Sequence, residues 1–104
     1  MKIGIPKEIF EGEKRVALSP QSAQALKKLG YDCVVQSGAG DAARFSDDNY
    51  RDAGVTVVPT AADLWSESDV VAKIRPPEAS EVDLAHSGQI LISFMFSIIG
   101  TFQL

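Results

Sequence analysis

Three cationic side chains, Arg15, Lys73 and Arg75, are the residues of this chain best suited to binding an anion. Arg15 is followed at once by the apolar segment 16–18, which can hold its guanidinium in place, and a fixed arginine binds a carboxylate through two parallel hydrogen bonds. Lys73 interrupts an apolar strand, where a buried amine without a partner is costly. It therefore either pairs with a carboxylate or ligand, or lies on a face open to water. The alternative for the charged loop around Arg15 is a solvated surface.

A glycine-containing turn, Gly38-Ala39-Gly40-Asp41-Ala42-Ala43, fits the dinucleotide-binding pattern G-x-G-x-x-G/A. A true fingerprint opens directly into a long helix and places an acidic residue at the end of the next strand. Here Arg44-Phe45-Ser46 intervenes, and the next strand ends in Val58-Pro59-Thr60. The context favours a plain glycine turn, so the pattern alone assigns no cofactor-binding residue.

The remaining reactive residue types are too few for a metal site or a nucleophilic triad. Cys33 is the single cysteine and His86 the single histidine, which excludes an internal disulfide and leaves zinc almost no ligands. Cys33 lies within a predicted strand and is interpreted as a small core residue, and His86 as an exposed turn residue. We therefore predict no catalytic residue and no metal ligand from these patterns.

Composition limits the chain to one globular, soluble domain. Its 104 residues are 45% hydrophobic and 23% charged, and the net charge of -4 argues against a nucleic-acid partner. The first 15 residues turn charged within eight positions and contain no signal-peptide stretch, so a cytoplasmic location is expected. The last 16 residues are uncharged but fall short of the ~20 needed for a membrane helix. They are interpreted as a buried strand and a tail, with a membrane segment as the less favoured alternative.

Short β-type runs alternate with amphipathic stretches, which predicts an α/β fold with an open, mostly parallel five-stranded sheet and flanking helices. The predicted strands are Lys2–Ile5, Tyr31–Val35, Val55–Val58, Asp69–Arg75 and Gln89–Phe94. Helices are expected after Ser19, Ser46, Thr60 and Ser80, each a candidate N-cap. Ligands of such sheets bind beyond the carboxyl ends of the strands, which selects segments 6–8, 38–40, 75–77 and 95–96. The final strand lacks a covering helix, so domain 1–104 is expected to be truncated.

The opening GIPKEIFEGEKRVALSPQSAQALKKLG resembles the N-terminal signature shared by alanine dehydrogenases and the alpha subunits of proton-translocating NAD(P) transhydrogenases. The resemblance continues through QSGAGDAARFSDDNYRDAGVTVV, SDVVAKIRPP and GQILISF, and covers about positions 1 to 96. It implies a Rossmann/flavodoxin-like N-terminal domain. The signature positions matched are Gly4, Pro6, Glu8, Glu13, Arg15, Val16, Ala17, Pro20, Leu26 and Gly30.

Two positions divide the families within this resemblance. Alanine dehydrogenases carry a substrate-contacting lysine where this chain has Arg75, and a catalytic histidine where it has Phe96, which cannot transfer a proton. The Ser93-Phe94-Met95-Phe96 ending instead resembles that of transhydrogenase alpha subunits. Arg15 and Lys73 match positions common to both families, and in alanine dehydrogenases the arginine holds the substrate carboxylate.

The resemblance therefore implies a membrane complex that passes hydride between NADH and NADP⁺ and couples this to proton movement. The complete alpha subunit would bind NAD(H) and form a homodimer peripheral to the inner membrane. A beta subunit and membrane component would bind NADP(H) and span the bilayer. This chain lacks the later Rossmann domain and nicotinamide-holding loop, so alone it is expected to hold no cofactor and to be inactive.

Two other functions remain open from the sequence. One is an alanine-dehydrogenase-like oxidoreductase, for which His86 would be the only candidate acid-base group. The other is a non-enzymatic module that binds a small anion in the cleft around Arg15.

Overall fold

Strands and helices alternate along the chain in the computed structural model, which describes residues 1–94 and 98–102. The strands are β1 (Lys2–Ile5), β2 (Asp32–Gln36), β3 (Thr56–Val58), β4 (Val70–Lys73), β5 (Ile90–Ser93) and β6 (Ile98–Thr101). The helices are α1 (Pro20–Lys28), α2 (Asp47–Asp52), α3 (Ala61–Glu67) and α4 (Ala79–Val82), with a 3₁₀ turn at Asp41–Ala43. The strands form one sheet in the order β3-β2-β1-β4-β5-β6. The α/β class and the mostly parallel sheet are confirmed.

The sheet has one strand more than the five predicted. Strands β1 to β5 pair in parallel at the predicted positions, whereas β6 runs antiparallel to β5 and places Gly100 opposite Leu91. The interpretation of this segment as a tail was wrong, because a cross-strand ladder satisfies its backbone groups at an edge that a tail would leave open. No helix within the described ranges is long and apolar enough to cross a membrane.

Helix α1 forms where its local signals agree. The Ser19 hydroxyl accepts a hydrogen bond from the Ser22 N–H, and Pro20 occupies the first turn. Gly30 follows with φ of 98°, the left-handed conformation that ends a helix at little cost for glycine. At α4 the predicted cap was wrong by two positions: Glu78 is the N-cap and Ser80 lies inside the helix.

The core lies on both faces of the sheet, because successive side chains of a strand point to opposite sides. Cys33 and Val35 of β2 pack on one face with residues from α1 and α2, whereas Val34 packs on the other with Leu64 and Trp65 of α3. Cys33 is 6% exposed, as interpreted from the sequence. Two apolar layers therefore hold the sheet rigid, and the strand ends present fixed positions to the loops that follow them.

Candidate functional site

Lys73 ends β4 as a buried amine with three oxygen partners. Its Nζ lies 3.0 Å from Oε1 of Glu8, 3.3 Å from Oε1 of Glu81 and 2.7 Å from the Arg75 carbonyl oxygen. An ammonium group has three donors, so these contacts match its full capacity. The side chain is 1% exposed. Of the two alternatives drawn from the sequence, the structure has the paired lysine and not a face open to water.

Glu8 joins the loop after β1 to the end of β4. Besides the ion pair, its Oε2 accepts a hydrogen bond from the Ile74 N–H at 2.9 Å, and its Oε1 accepts one from the Arg75 N–H at 3.2 Å. Its side chain is 2% exposed. The Glu8 carboxylate therefore holds the loop after β1 against the end of β4. Both lie at the carboxyl edge of the sheet, which is the edge where the parallel strands end.

Glu81, from α4, is the second carboxylate of this buried cluster. Its Oε1 also accepts a hydrogen bond from the Glu78 N–H. Burial raises the pKa of Glu81 above its ordinary value, while that N–H and Lys73 act in the opposite direction. Lys73 therefore joins three segments: the first loop, the end of β4 and α4.

Glu13 bridges two guanidinium groups. Its Oε1 accepts hydrogen bonds from Arg15 at 2.7 Å and from Arg75 Nε at 2.8 Å, and its Oε2 accepts from Arg15 Nε at 2.9 Å. The carboxylate is 3% exposed, although its sequence context suggested a solvated loop. The Arg15 hydrogen bonds above all, together with that from Arg75, hold the pKa of Glu13 far below its ordinary value. Glu13 is therefore a buried anion that fixes both arginines.

Arg75 is held by a second contact. Its guanidinium carbon lies 4.0 Å from the centroid of the Phe10 ring, a cation–π geometry. Phe10 itself is 47% exposed. Arg75 thus lies between the buried Glu13 carboxylate and an exposed aromatic ring.

A cleft of about 150 Å³ opens between the first loop and the turn after β2. Its lining residues are Lys7, Glu8, Glu13, Lys14, Arg15, Gly38, Ala39, Asp41 and Ala42. Of the three predicted anion-binding residues, only Arg15 lines this cleft. The structure brings Lys73 and Arg75 close to it through Glu8 and Glu13, but as partners of those carboxylates.

The sequence selected Lys7 only as part of the strand-end segment 6–8 and did not select Lys14 as an anion-binding residue, because a single surface lysine carries no signal of its own. Glu8 and Glu13 were matched as signature positions and recognised as charged loop residues, but neither was predicted to be buried. A signal for their burial existed: two cations at a strand end, Lys73 and Arg75, need two carboxylates from elsewhere if they are buried.

The glycine turn is closed by its own hydrogen bonds. Asp47 accepts from the Gly38 N–H at 2.9 Å and from the Ser37 hydroxyl at 2.6 Å, and the Gly38 bond is the main cause of its lowered pKa. The Ala39 N–H donates to the Gln36 carbonyl and the Asp41 N–H to the Gly38 carbonyl. These donors face protein oxygens, and the turn continues into a 3₁₀ turn. Three N–H groups that the sequence pattern would offer to a pyrophosphate, those of Gly38, Ala39 and Asp41, are therefore already engaged within the protein.

Tyr50 supports the segment that follows Arg15. Its hydroxyl donates to the Leu18 carbonyl oxygen at 2.8 Å, and the side chain is fully buried. Burial raises the pKa of Tyr50 to about 12. A buried hydrogen bond thus anchors the chain three residues beyond Arg15.

His86 lies near the amino ends of the parallel strands, whereas Arg15 lies in a loop that follows the carboxyl end of β1. His86 comes before the start of β5, whereas Lys73 ends β4, which runs parallel to β5. The two residues are therefore about 13 Å apart along the strand direction, the length of a four-residue strand. Its Nε2 lies 3.0 Å from the Ser68 carbonyl oxygen, and the residue is exposed. Phe96, the other position concerned with acid-base chemistry, lies outside the described residues. Within residues 1–94 and 98–102, no group of three His, Cys, Asp or Glu side chains could hold a metal ion.

The chain matches one family model, described as the alanine dehydrogenase/PNT N-terminal domain, over residues 4–100. A transhydrogenase alpha subunit from Cereibacter sphaeroides is 54% identical over 96 residues, which are 92% of this chain and 18% of that protein. An alanine dehydrogenase from Halomonas elongata is 40% identical over 95 residues, or 91% of this chain and 26% of that protein.

Solved structures from both groups have the same fold as this chain. An L-alanine dehydrogenase superposes with a TM-score of 0.87 at 40% identity, covering 91% of this chain and 26% of that one. A transhydrogenase from Sinorhizobium meliloti gives 0.84 at 41% identity, covering 91% and 27%. The chain therefore spans only about a quarter or less of the length of these relatives.

Proposed function

The chain belongs to the alanine dehydrogenase/PNT N-terminal domain family, and on that premise we propose that it is the first domain of a transhydrogenase alpha subunit. The observation that carries the proposal is the 54% identity to the Cereibacter sphaeroides alpha subunit, whereas the alanine dehydrogenases reach 35–41% and the Haemophilus influenzae alpha subunit 38%. The names of the relatives support an oxidoreductase family that uses nicotinamide nucleotides.

Arg75 supports the same choice. By the family resemblance, the position of Arg75 carries a substrate-contacting lysine in alanine dehydrogenases, whereas here a guanidinium donates to Glu13 and lies over the Phe10 ring. A lysine amine is a compact charge that does not reproduce the directed Nε–H donor together with the broad cation over the ring. The site is therefore built around an arginine and not around the lysine of an amino-acid dehydrogenase.

The complete subunit would carry out hydride transfer from NADH to NADP⁺, coupled to proton translocation. NAD(H) would be held by a nucleotide-binding domain other than residues 1–104; the engagement of three N–H groups of the glycine turn by protein oxygens supports this assignment. NADP(H) would bind a beta subunit, with a membrane component completing the complex and a homodimer of alpha subunits at the inner membrane surface. No hydride transfer is expected from the chain alone.

What this chain contributes is an ordered carboxyl edge. Glu8 and Lys73 fix the first loop to β4, and Glu13 fixes Arg15 and Arg75 relative to each other. A rigid edge of this kind positions residues that meet a neighbouring domain, which is where ligands of open α/β sheets bind.

Grafting the chain into a relative tests the proposal. The 96 matched residues of the Cereibacter sphaeroides alpha subunit are replaced by those of this chain, and NADH-dependent reduction of NADP⁺ is measured in membranes that contain the partner subunits. The matched control graft carries the 95 residues of the Halomonas elongata alanine dehydrogenase. We expect activity from the first graft and a much lower rate from the control, with co-purification of subunits showing that both assemble.

Either of two results would contradict the proposal. If the control graft is as active as this chain, or if the natural protein that carries this sequence reduces NAD⁺ with L-alanine, the transhydrogenase assignment is wrong. An alanine-dependent activity that survives His86→Gln would also remove His86 as its acid-base group.

A further inference from the structure

Lys7 and Lys14 face the cleft at the carboxyl edge without an acidic partner. Within residues 1–94 and 98–102, no carboxylate lies within 4.0 Å of either amine. Two of the three acids that line the same cleft, Glu8 and Glu13, are paired with cations. Glu8 is bonded to Lys73 and backbone N–H groups, and Glu13 to Arg15 and Arg75.

The backbone places both lysines firmly. The Lys7 N–H donates to Oε1 of Gln36, at the end of β2, at 2.9 Å. Lys14 lies between Glu13 and Arg15. The Arg15 N–H donates to the Glu13 carboxylate at 3.0 Å, and this hydrogen bond restrains the backbone on both sides of Lys14. Binding of a ligand would therefore order the two side chains but leave the backbone, which is already fixed, unchanged.

Gly38, in the turn after β2, forms a wall of the cleft that a ligand can approach closely. Gly38 has φ of 82°, and a Cβ atom there would lie 3.7 Å from Lys7 Nζ and 3.5 Å from Oδ2 of Asp41. A side chain at this position would fill the space beside the Lys7 amine. Glycine keeps that space for a ligand atom and also tolerates the left-handed conformation.

Charge in and directly behind the cleft favours an anion. The cations are Lys7, Lys14, Arg15, Lys73 and Arg75, against the four acids Glu8, Glu13, Asp41 and Glu81. This region is thus net positive in a chain whose overall charge is -4. Asp41 is the lining acid that would oppose an anion, and its Oδ2, like the Lys7 amine, lies within 4 Å of the point where a Gly38 Cβ atom would be.

The size of the cleft limits the ligand. At about 150 Å³ it has roughly half the lower limit of the ~300–1,000 Å³ of drug-sized sites. This size suits a phosphate group or a short dicarboxylate better than a whole nucleotide.

From these observations we propose that the cleft between Lys7, Lys14 and Gly38 binds a small dianion, either a phosphate monoester or a short dicarboxylate. The two unpartnered amines compensate its two charges. This site goes beyond the proposed transhydrogenase role, which requires no small anion.

Calorimetry on the natural protein that carries this sequence tests the proposal with three probes: methyl phosphate, malonate and acetate. Both dianions should bind more tightly than acetate, and the tighter of the two identifies the headgroup. Lys7→Gln and Lys14→Gln should each weaken binding about fivefold, as expected for loss of one exposed charge contact. The matched control is Lys28→Gln, which removes the same charge from the last turn of α1 and should leave binding unchanged.

Chemical footprinting gives a second readout that needs no variant. Acetylation of Lys7 and Lys14, followed by mass spectrometry, should slow when methyl phosphate or malonate is present, while Lys28 reacts at an unchanged rate. The proposal is overturned if acetate binds as well as the dianions, if Lys28→Gln weakens binding as much as the cleft variants, or if neither cleft lysine is protected.

Discussion

Lys73 and Glu8 form an ion pair of 3.0 Å across 65 positions of sequence, and both side chains are almost completely buried. Charged groups removed from water are stable only when they are paired and their remaining donors and acceptors are satisfied. The pair also receives Glu81 and two backbone N–H groups. The loop after β1 is therefore held by electrostatics as well as by chain connectivity.

Removal of the Lys73 charge should be strongly destabilising. Lys73→Met leaves Glu8 and Glu81 buried without their cation, and losing one partner of a buried pair costs about 3–5 kcal/mol. Urea denaturation at neutral pH measures the change in the free energy of unfolding. Lys28→Met, at an exposed lysine, should change it by less than about 0.5 kcal/mol. A loss below about 1 kcal/mol in Lys73→Met would show that the buried cluster contributes little.

Glu13 should control stability in acid. Its pKa is lower in the folded chain than in the unfolded one, so its contribution is present above the unfolded value of about 4.3 and disappears as the pH falls toward the folded value. Glu13→Gln should therefore be less stable than the unmodified chain at pH 7, and the difference should shrink below about pH 4. Urea midpoints across this range test the expectation. Parallel curves for the two proteins would contradict it.

Tyr50 should control stability in alkali. Its folded pKa of about 12 lies above the unfolded value of about 10, so its contribution is present below pH ~10 and is lost as the pH rises through the folded value. Tyr50→Phe should cost about 1–3 kcal/mol at neutral pH, because the Leu18 carbonyl loses its donor. Its stability should then fall less steeply above pH ~10. Tyr31→Phe, at a 40% exposed tyrosine, is the matched control and should leave the profile unchanged.

Gly4 should tolerate no side chain. A Cβ atom there would overlap the Ser68 hydroxyl and lie 2.8 Å from the Ser68 Cβ atom. Gly4→Ala should cost about 1–3 kcal/mol through overpacking, and combining it with Ser68→Gly should recover part of that loss. Gly100→Ala, at a strand glycine with nothing within 4 Å, is the control. Strict additivity of the two changes would rule out the steric explanation.

Local patterns predicted the elements and not their long-range partners. The Ser19 and Thr60 caps are present because capping depends on residues three positions apart. The β6 strand was missed because its ladder depends on pairing with β5, which no local signal specifies. For the same reason the sequence could not distinguish a paired Lys73 from one exposed to water. Its partner carboxylate, Glu8, lies 65 residues away.

The site was predicted only in part. Arg15 was selected because its apolar neighbours suggested a fixed guanidinium, and it does line the cleft. Glu13 was grouped with a solvated surface, yet it is 3% exposed, since two arginines from separate segments converge on one carboxylate. Such convergence is a property of the folded chain, and only the structure reveals it.

Among the described strands, β1, with β2 on one side and β4 on the other, joins the two halves of the sheet through backbone hydrogen bonds. During synthesis β1 is made before β4, and at ~5–20 residues per second it waits several seconds for that neighbour. Deletion of residues 2–5 would interrupt the hydrogen-bonded ladder between β3-β2 and β4-β5-β6. The continuity of the sheet thus depends on a four-residue segment whose two neighbours are made at different times.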